Sequence, residues 1–166
     1  MARPSPAKLL TLRAAVARRR RFAAAGKTVV LTNGVFDLLH PGHRHYLARA
    51  RALGGALLVA LNSNASTRLL KGPSRPIQGQ RDRARALGRL PGVDAIVIFR
   101  CKRLDREIAV LRPDVYCKAG DYTLGKLDRA ERAALEAAGA RIKFMPFLRG
   151  FSTTRKIAEL KSAGRL

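Results

Sequence analysis

The sequence is poor in acidic, aromatic and sulfur-containing residues. It has no Trp, only 5% aromatic residues, two Cys, and 11 Asp plus Glu against 34 Lys plus Arg, which gives a formal net charge of +23. No apolar stretch approaches the roughly 20 residues that a membrane-spanning helix needs, and the basic N-terminus lacks an apolar core followed by a small-residue cleavage site. We therefore expect a cytoplasmic protein with neither a membrane span nor a signal peptide.

The two cysteines, Cys101 and Cys117, do not form a metal-binding pattern. They stand 16 positions apart, with no CxxC motif and no histidine near either of them, so the ligand spacing of a zinc site is absent. Cys117 lies in an apolar run, which favours a small core residue over a nucleophile. The sequence therefore predicts no metal held by protein ligands.

The basic residues would attract nucleic acid, anionic lipid or phosphorylated metabolites. They are scattered along the whole chain, a distribution that biased composition explains about as well as a dedicated binding surface does. The run at positions 18–21 could be a nucleic-acid patch, but no aromatic residues interleave with it, which favours a solvated helix face. A basic nucleic-acid-binding module without turnover stays open as an alternative function.

Apolar runs alternate with segments of helical composition along the chain. The 166 residues, 47% of them hydrophobic, suit one domain with a sizeable core. The predicted strands are residues 28–31, 56–61, 93–99, 114–118 and 141–145. The predicted helices are residues 5–25, 44–53, 67–70, 80–90, 104–111, 127–138 and 157–161. This alternation predicts an α/β fold with a Rossmann-like, doubly wound, five-stranded parallel sheet. We assign residues 1–26 to an N-terminal helix packed on the domain, 27–162 to the domain itself and 163–166 to a tail.

One stretch, TNGVFDLLHPGH at positions 32–43, joins the first predicted strand to a helix. Pro41 and Gly42 turn the backbone tightly, and proline suits the first helical turn, so His40 and His43 can face one point. Unpaired N–H groups at the helix start would attract a nucleotide phosphate. The alternative is that the two histidines merely cap a helix. We expect Asp37 to hold the turn by hydrogen bonds to the backbone rather than to ligate a metal.

Further polar stretches also follow predicted strands or open helices. Residues 62–66, NSNAS, are explained by turn and capping chemistry alone, and residues 71–76 form a basic loop. Residues 118–122, KAGDY, leave the fourth strand. Residues 152–154, STT, open the last helix and either form a simple N-cap or bind an anion. Ligands of such sheets bind beyond the carboxyl ends of the strands.

Four of these stretches, residues 32–43, 62–66, 118–122 and 152–154, resemble a known family. Residues 32–43 resemble the HxGH signature of the cytidylyltransferase-like nucleotidyltransferases, and the form TNGxFDxLHxGH is most similar to the adenylyltransferase half of ADP-heptose synthase. The KAGDY stretch resembles the KGGDY of heptose adenylyltransferases, with Ala119 in place of a glycine, and alanine tolerates a positive φ poorly. The STT stretch is similar to the family's ST-T motif. The resemblance covers roughly residues 28–160.

The resemblance implies a role for particular residues. His40 and His43 would contact the α- and β-phosphates, Lys71 would reach in from its loop, and Arg83 matches the family's arginine before a Val-Asp pair. These four would be catalytic. The residues implied to bind the nucleotide are Thr32, Asn33, Gly34, Phe36, His40, Gly42, His43, Asn62, Lys118, Gly120, Asp121, Tyr122, Ser152, Thr153 and Thr154.

The implied reaction is transfer of AMP from ATP to a sugar 1-phosphate, with heptose 1-phosphate as the expected acceptor, and release of pyrophosphate. Mg²⁺ would bind together with the nucleotide. The heptose kinase domain that is fused in many relatives does not resemble any part of this sequence, so a separate kinase would supply the sugar phosphate. The resemblance also implies a homodimer. The runner-up activity is a CTP-dependent cytidylyltransferase for glycerol 3-phosphate or another alcohol phosphate.

Overall fold

The computed structural model describes residues 8–166. The strands are β1 (Leu9–Leu10), β2 (Val29–Gly34), β3 (Ala56–Asn62), β4 (Ala95–Phe99), β5 (Val115–Ala119) and β6 (Arg141–Met145). The helices are α1 (Leu12–Ala24), α2 (Pro41–Arg51), α3 (Asn64–Lys71), α4 (Gln80–Gly88), α5 (Asp105–Leu111), α6 (Arg129–Ala138) and α7 (Thr153–Ser162), with a short 3₁₀ turn at Leu124–Lys126. In this part of the chain, no helix combines the length and the apolar character needed to cross a membrane.

The strands form one parallel sheet in the order β1-β4-β3-β2-β5-β6. This arrangement confirms the predicted doubly wound α/β fold. Residues 8–166 contain six strands rather than the five predicted, because Leu9–Leu10 pairs with the edge of β4. The Ile96 N–H donates to the Lys8 carbonyl at 2.7 Å and so ties the added strand to the sheet.

The N-terminal helix is shorter than predicted. Its expected start at Ser5 lies outside the described residues, and residues 9–10 are extended rather than helical. Helix α1 begins after Thr11, whose hydroxyl accepts a hydrogen bond from Ala14 N at 3.2 Å. A threonine at this position satisfies one of the unpaired N–H groups of the first turn, so the helix starts at its cap.

Alternate residues of the central strands face opposite sides of the sheet, as the two-residue period of a strand requires. Residues such as Val30, Leu57 and Val59 pack against α2 and α4, whereas Leu31 and Leu58 pack against α1, α5 and α6. Both faces of the sheet are therefore covered. A ligand of the central strands is therefore expected beyond their carboxyl ends.

Two helices near the predicted site differ from expectation. Helix α3 begins at Asn64, after the N-cap Ser63, and extends to Lys71, so Lys71 stands on the last helical turn rather than in a loop. Helix α7 begins at Thr153 and ends at Ser162, whereas only residues 157–161 were predicted. In α7 the Ser152 hydroxyl accepts from Arg155 N at 3.1 Å and starts the helix four residues earlier than predicted.

The order of the strands reverses at β2. The chain proceeds from β2 to β3 and β4 on one side, then crosses back to β5 and β6 on the other. The connections that leave the carboxyl ends of β2 and β5 diverge, which opens a crevice at this switch point. The TNGVFDLLHPGH and KAGDY stretches both leave the sheet there.

Candidate active site

His40 is the N-cap of α2, and Pro41 follows in the first turn. The His40 Nδ1 accepts a hydrogen bond from the backbone N–H of His43 at 3.3 Å. This histidine therefore caps the helix, as the alternative interpretation expected. An Nδ1 that accepts a hydrogen bond carries no proton, which places the proton of the neutral ring on Nε2. Capping thus fixes the tautomer and leaves Nε2–H as a donor.

The two imidazoles lie one above the other. Their ring centroids are 3.7 Å apart with an interplanar angle of 18°, and the Phe36 ring meets His43 edge-on at 5.5 Å. A Cβ on Gly42 would lie 2.9 Å from His40 Cε1 and 3.0 Å from Phe151 Cβ. The glycine between the histidines is therefore required for His40 to take this position beside Phe151.

Both histidines are neutral at neutral pH. The pKa of His43 is lowered to about 3, mainly by burial and also by the neighbouring His40, while Asp37 opposes the shift. Burial, followed by the charge of Lys156, also lowers the pKa of His40. Among the described residues, the buried Nδ1 of His43 has no hydrogen-bond partner. Neutral imidazoles act as N–H donors or acceptors toward phosphate rather than as cations.

The N-terminus of α7 faces His40 across a cleft of about 200 Å³. The ring of Phe151 lies roughly parallel to His40, with centroids 6.3 Å apart. The residues that line the cleft are His40, Pro41, Gly150, Phe151, Ser152, Arg155, Lys156 and Glu159. A helix N-terminus beside two cations favours an anion. Phe151, Arg155 and Lys156 were absent from the predicted site, although they adjoin the STT motif in the sequence.

The STT hydroxyls divide their roles. Ser152 caps α7, Thr153 Oγ1 donates to the Asp37 carbonyl at 3.1 Å, and Thr154 is exposed. The N-cap interpretation therefore holds for Ser152. Thr153 joins α7 directly to the turn that carries the histidines.

Arg83 lies beneath the site and is fully buried. Its guanidinium donates to the carbonyls of Gln78 (2.9 Å), Val35 (2.7 Å) and Asn62 (2.8 Å), and to Asn64 Oδ1 (3.0 Å). These contacts occupy four of its five N–H donors. The guanidinium thus holds the ends of two loops together and does not line the cleft beside α7, and the catalytic role that the resemblance implies for Arg83 stays a prediction.

Three further predicted residues have side chains bonded within the protein. Thr32 is fully buried, with Oγ1 2.6 Å from the hydroxyl of Tyr46. Asn33 Oδ1 accepts from the Tyr116 hydroxyl at 2.7 Å, and the Asn62 amide donates to Ser66 Oγ at 3.2 Å. The partner of Asn33 is 83 positions away in the sequence, so no local pattern could have identified it, whereas the partner of Asn62 lies within the NSNAS stretch.

The KAGDY stretch ends β5 at the switch point. Ala119 is the last residue of β5, paired with Met145, and the positive φ of 108° falls on Gly120, so alanine fits where relatives have glycine. A Cβ on Gly120 would lie 2.6 Å from the Phe147 ring. Lys118 Nζ lies 4.4 Å from the ring centroid of Tyr122. Asp121 and Tyr122 are both exposed at this edge.

Gly34 and Phe36 shape the wall of the site. A Cβ on Gly34, the last residue of β2, would lie 2.9 Å from the Phe36 ring. Phe36 is buried and reaches the edge of His43. Lys71 is exposed at the end of α3, on an element that also carries Asn64, a partner of Arg83.

Comparison with known proteins places these features in a family. The cytidylyltransferase-like family model matches residues 31–159. The chain is 46% identical to the bifunctional protein HldE of Koribacter versatilis over 86% of this chain and 28% of that protein. It is 44% identical to HldE of Yersinia enterocolitica over 91% of this chain and 31% of that protein. The chain thus spans less than a third of the length of these relatives.

Two solved structures share the fold. The lipopolysaccharide core biosynthesis protein from Thermoplasma volcanium superposes with a TM-score of 0.60 and 28% identity, over 74% of this chain and 98% of that chain. A pantoate–β-alanine ligase from Francisella tularensis gives a TM-score of 0.60 at 13% identity, over 90% of this chain and 72% of that chain, a likeness of fold alone. The family match begins within β2, ends within α7 and confirms the predicted resemblance: the chain belongs to the cytidylyltransferase-like family of nucleotidyltransferases.

Proposed function

We propose that the chain transfers AMP from ATP to a sugar 1-phosphate, with heptose 1-phosphate as the acceptor, and releases pyrophosphate. The observation that carries the proposal is His40, stacked on His43, which faces the N-terminus of α7 across one cleft. This arrangement presents neutral donors, a helix N-terminus and two cations to one anion. The similarity to HldE over the whole domain, together with the KAGDY stretch, favours ATP and a heptose phosphate.

The reaction proposed here is a direct displacement. An oxygen of the sugar phosphate attacks the α-phosphorus of ATP, the bond from that phosphorus to the bridging oxygen breaks, and pyrophosphate leaves with both electrons of the broken bond. No covalent intermediate is required. Positioning and neutralisation of charge dominate such chemistry. His40 Nε2–H and the α7 N-terminus would stabilise the charge that develops on the phosphate oxygens.

Mg²⁺ fits this proposal as a companion of the nucleotide. Within residues 8–166, no three His, Cys, Asp or Glu side chains cluster in a way that could hold a metal ion, so the triphosphate would provide most of the ligands. When bound, the ion would neutralise phosphate charge. The protein's own contribution is the placement of histidines, hydroxyls and cations around the phosphates.

To test the proposal, the protein is incubated with Mg²⁺, with either heptose 1-phosphate or glycerol 3-phosphate, and with each of the four nucleoside triphosphates in turn. The release of pyrophosphate is then measured. We expect release with ATP and the heptose phosphate, and a ten- to hundredfold preference for ATP, because an unpaired edge group on the wrong base costs about 1–3 kcal/mol. EDTA should abolish the release. Release with CTP and glycerol 3-phosphate alone would favour the runner-up, and no release in any pairing would support the binding-module alternative.

The proposal also concerns partners of the chain. A separate kinase would supply the sugar 1-phosphate, and the active species would be a homodimer. Sedimentation of the purified chain, and a coupled assay with a heptose kinase, test these two points. A monomer with full turnover would contradict the homodimer.

A further inference from the structure

The turn between β2 and α2 has an unfavourable backbone conformation on both sides of Asp37. Phe36 has a φ of 48° and Leu38 a φ of 51°. This left-handed region is costly for residues with a Cβ. Such conformations persist only where the surrounding contacts over-determine them. The contacts that hold this turn converge on Asp37.

The Asp37 carboxylate is fully buried and uses both of its oxygens. Oδ1 accepts from Gln78 N at 3.0 Å. Oδ2 accepts from Ile77 N at 2.8 Å and from Arg75 Nε at 3.1 Å, and it forms an ion pair with Arg75 Nη2 at 3.0 Å. A buried carboxylate is costly unless its charge is paired and its lone pairs are used. Here both conditions are met by one loop, residues 72–79, which joins α3 to α4.

The backbone around Asp37 provides two more links. Its carbonyl accepts from Thr153 Oγ1 at 3.1 Å, across 116 positions of sequence. The next residue, Leu38, donates its N–H to Gln78 Oε1 at 3.2 Å. One residue therefore connects the 72–79 loop, through its side chain, with the start of α7, through its carbonyl. His40 begins helix α2 three residues later.

We propose that Asp37 is a positioning residue for nucleotidyl transfer. Its carboxylate clamps the strained turn at residues 36–38 and thereby fixes the His40–His43 pair relative to the Thr153 end of α7. Asp37 acts through these groups and does not itself contact the substrate. The effect on turnover rests on the proposed function, whereas the clamp itself is a property of the free protein.

The first test replaces Asp37 by Asn, which keeps the shape of the side chain but sets an NH₂ group against N–H donors. We expect kcat to fall on the order of tenfold to hundredfold, with a smaller change in the KM for nucleotide, because misplacing reactive groups by about 1 Å has effects of this size. Independently of activity, the NMR signals of the His40 and His43 rings should lose the mutual ring-current shifts that stacking at 3.7 Å produces.

The second test adds Leu38→Gly to the Asp37→Asn variant. Glycine adopts a φ of about 50° without the Cβ penalty, so the double variant should regain much of the turnover and the stacked-ring signals. Leu38→Gly alone should behave like the wild type.

Asp94→Asn is the matched control. This variant loses the ion pair of residue 94 with Arg51 (3.1 Å) and weakens its hydrogen bond from Leu57 N (2.8 Å). Residue 94 directly precedes β4, at the end of the strands opposite the site. The substitution should lower Tm without lowering kcat.

Unchanged ring signals in Asp37→Asn, or no recovery in the double variant, would overturn the proposal. If Asp37→Asn does not fold, Arg75→Gln is measured in its place, and we expect a smaller loss of turnover and of the stacked-ring signals. No change in the ring signals of that variant would also overturn the proposal. If the wild type releases no pyrophosphate, the proposed function fails, and the ring signals still decide whether Asp37 clamps the turn.

Discussion

At the scale of single residues, His43 should matter for turnover and its neighbour His45 should not. His43 stacks on His40 within the site, whereas His45 is exposed two positions further along α2. Removal of an electrostatic donor typically costs two to three powers of ten in kcat. We expect His43→Ala to lose at least a hundredfold in pyrophosphate release with an unchanged circular dichroism spectrum, and His45→Ala to retain full activity. Equal activity of the two variants would remove His43 from the mechanism.

The same histidine makes stability depend on pH. Burial lowers the pKa of His43 to about 3 in the folded chain, against roughly 6.5 in the unfolded chain. Between these values only the unfolded chain binds the proton. The free energy of unfolding should therefore fall as the pH drops from about 6.5 toward 3, by at most ~1.4 kcal/mol per pH unit from this residue. Above pH 6.5 the contribution is fully present.

Urea unfolding at several pH values measures this dependence. The His43→Ala variant should lose less stability than the wild type between about pH 6.5 and 4. Parallel curves for the wild type and His43→Ala would show that His43 titrates normally in the folded protein.

At the scale of secondary structure elements, position 42 at the start of α2 shows whether helix propensity or the packing of the site determines the residue. Alanine favours a helix over glycine by up to ~1 kcal/mol, yet a Cβ at Gly42 would lie 2.9 Å from the His40 ring. We expect Gly42→Ala to lose about tenfold or more in kcat because His40 must move. Gly88→Ala, at the end of α4, meets only Ile96 Cδ1 at 3.8 Å. It should raise Tm without affecting kcat.

The elements also show how far sequence reasoning reaches. Runs such as 56–61 predicted their strands closely, because residues buried on both faces of a parallel sheet form continuous apolar stretches. Strand β1 could not be predicted. Its two leucines suit a helix equally well, and their extended conformation comes from pairing with β4. The early start of α7 could have been read from Ser152, since serine is a preferred N-cap.

The site was predicted in part. The HPGH and STT stretches carry their chemistry in local order, and the structure brings them to one cleft. Arg83 was assigned from its match to the family's arginine, and the sequence does not show that carbonyls 5, 21 and 48 positions away surround its guanidinium. Likewise, Asp37 was expected to bind backbone N–H groups, and it does so in a loop 40 positions away rather than in its own turn. Partners so far apart in sequence leave no periodic signal.

At the scale of the whole molecule, the net charge of +23 should act on encounter with substrate rather than on chemistry. Arg155 and Lys156 line the cleft, and the scattered cations add a long-range attraction for a polyanionic nucleotide. Raising NaCl from about 50 to about 500 mM shortens the Debye length several-fold. We expect the KM for nucleotide to rise over this range while kcat stays nearly constant. A KM that does not change with salt would show that the surface charge has no part in substrate capture.

The bond from Thr153 to the Asp37 carbonyl joins residues 116 positions apart, and this separation has a consequence for the order of synthesis. A ribosome makes the chain from its N-terminus, and earlier segments begin to fold before later ones emerge. The sheet through β5 can form while α7 is still inside the exit tunnel, but the cleft between His40 and Phe151 cannot. A released chain that ends before residue 153 should therefore resist protease like a folded protein and yet fail to retain nucleotide, so that competence for catalysis depends on α7.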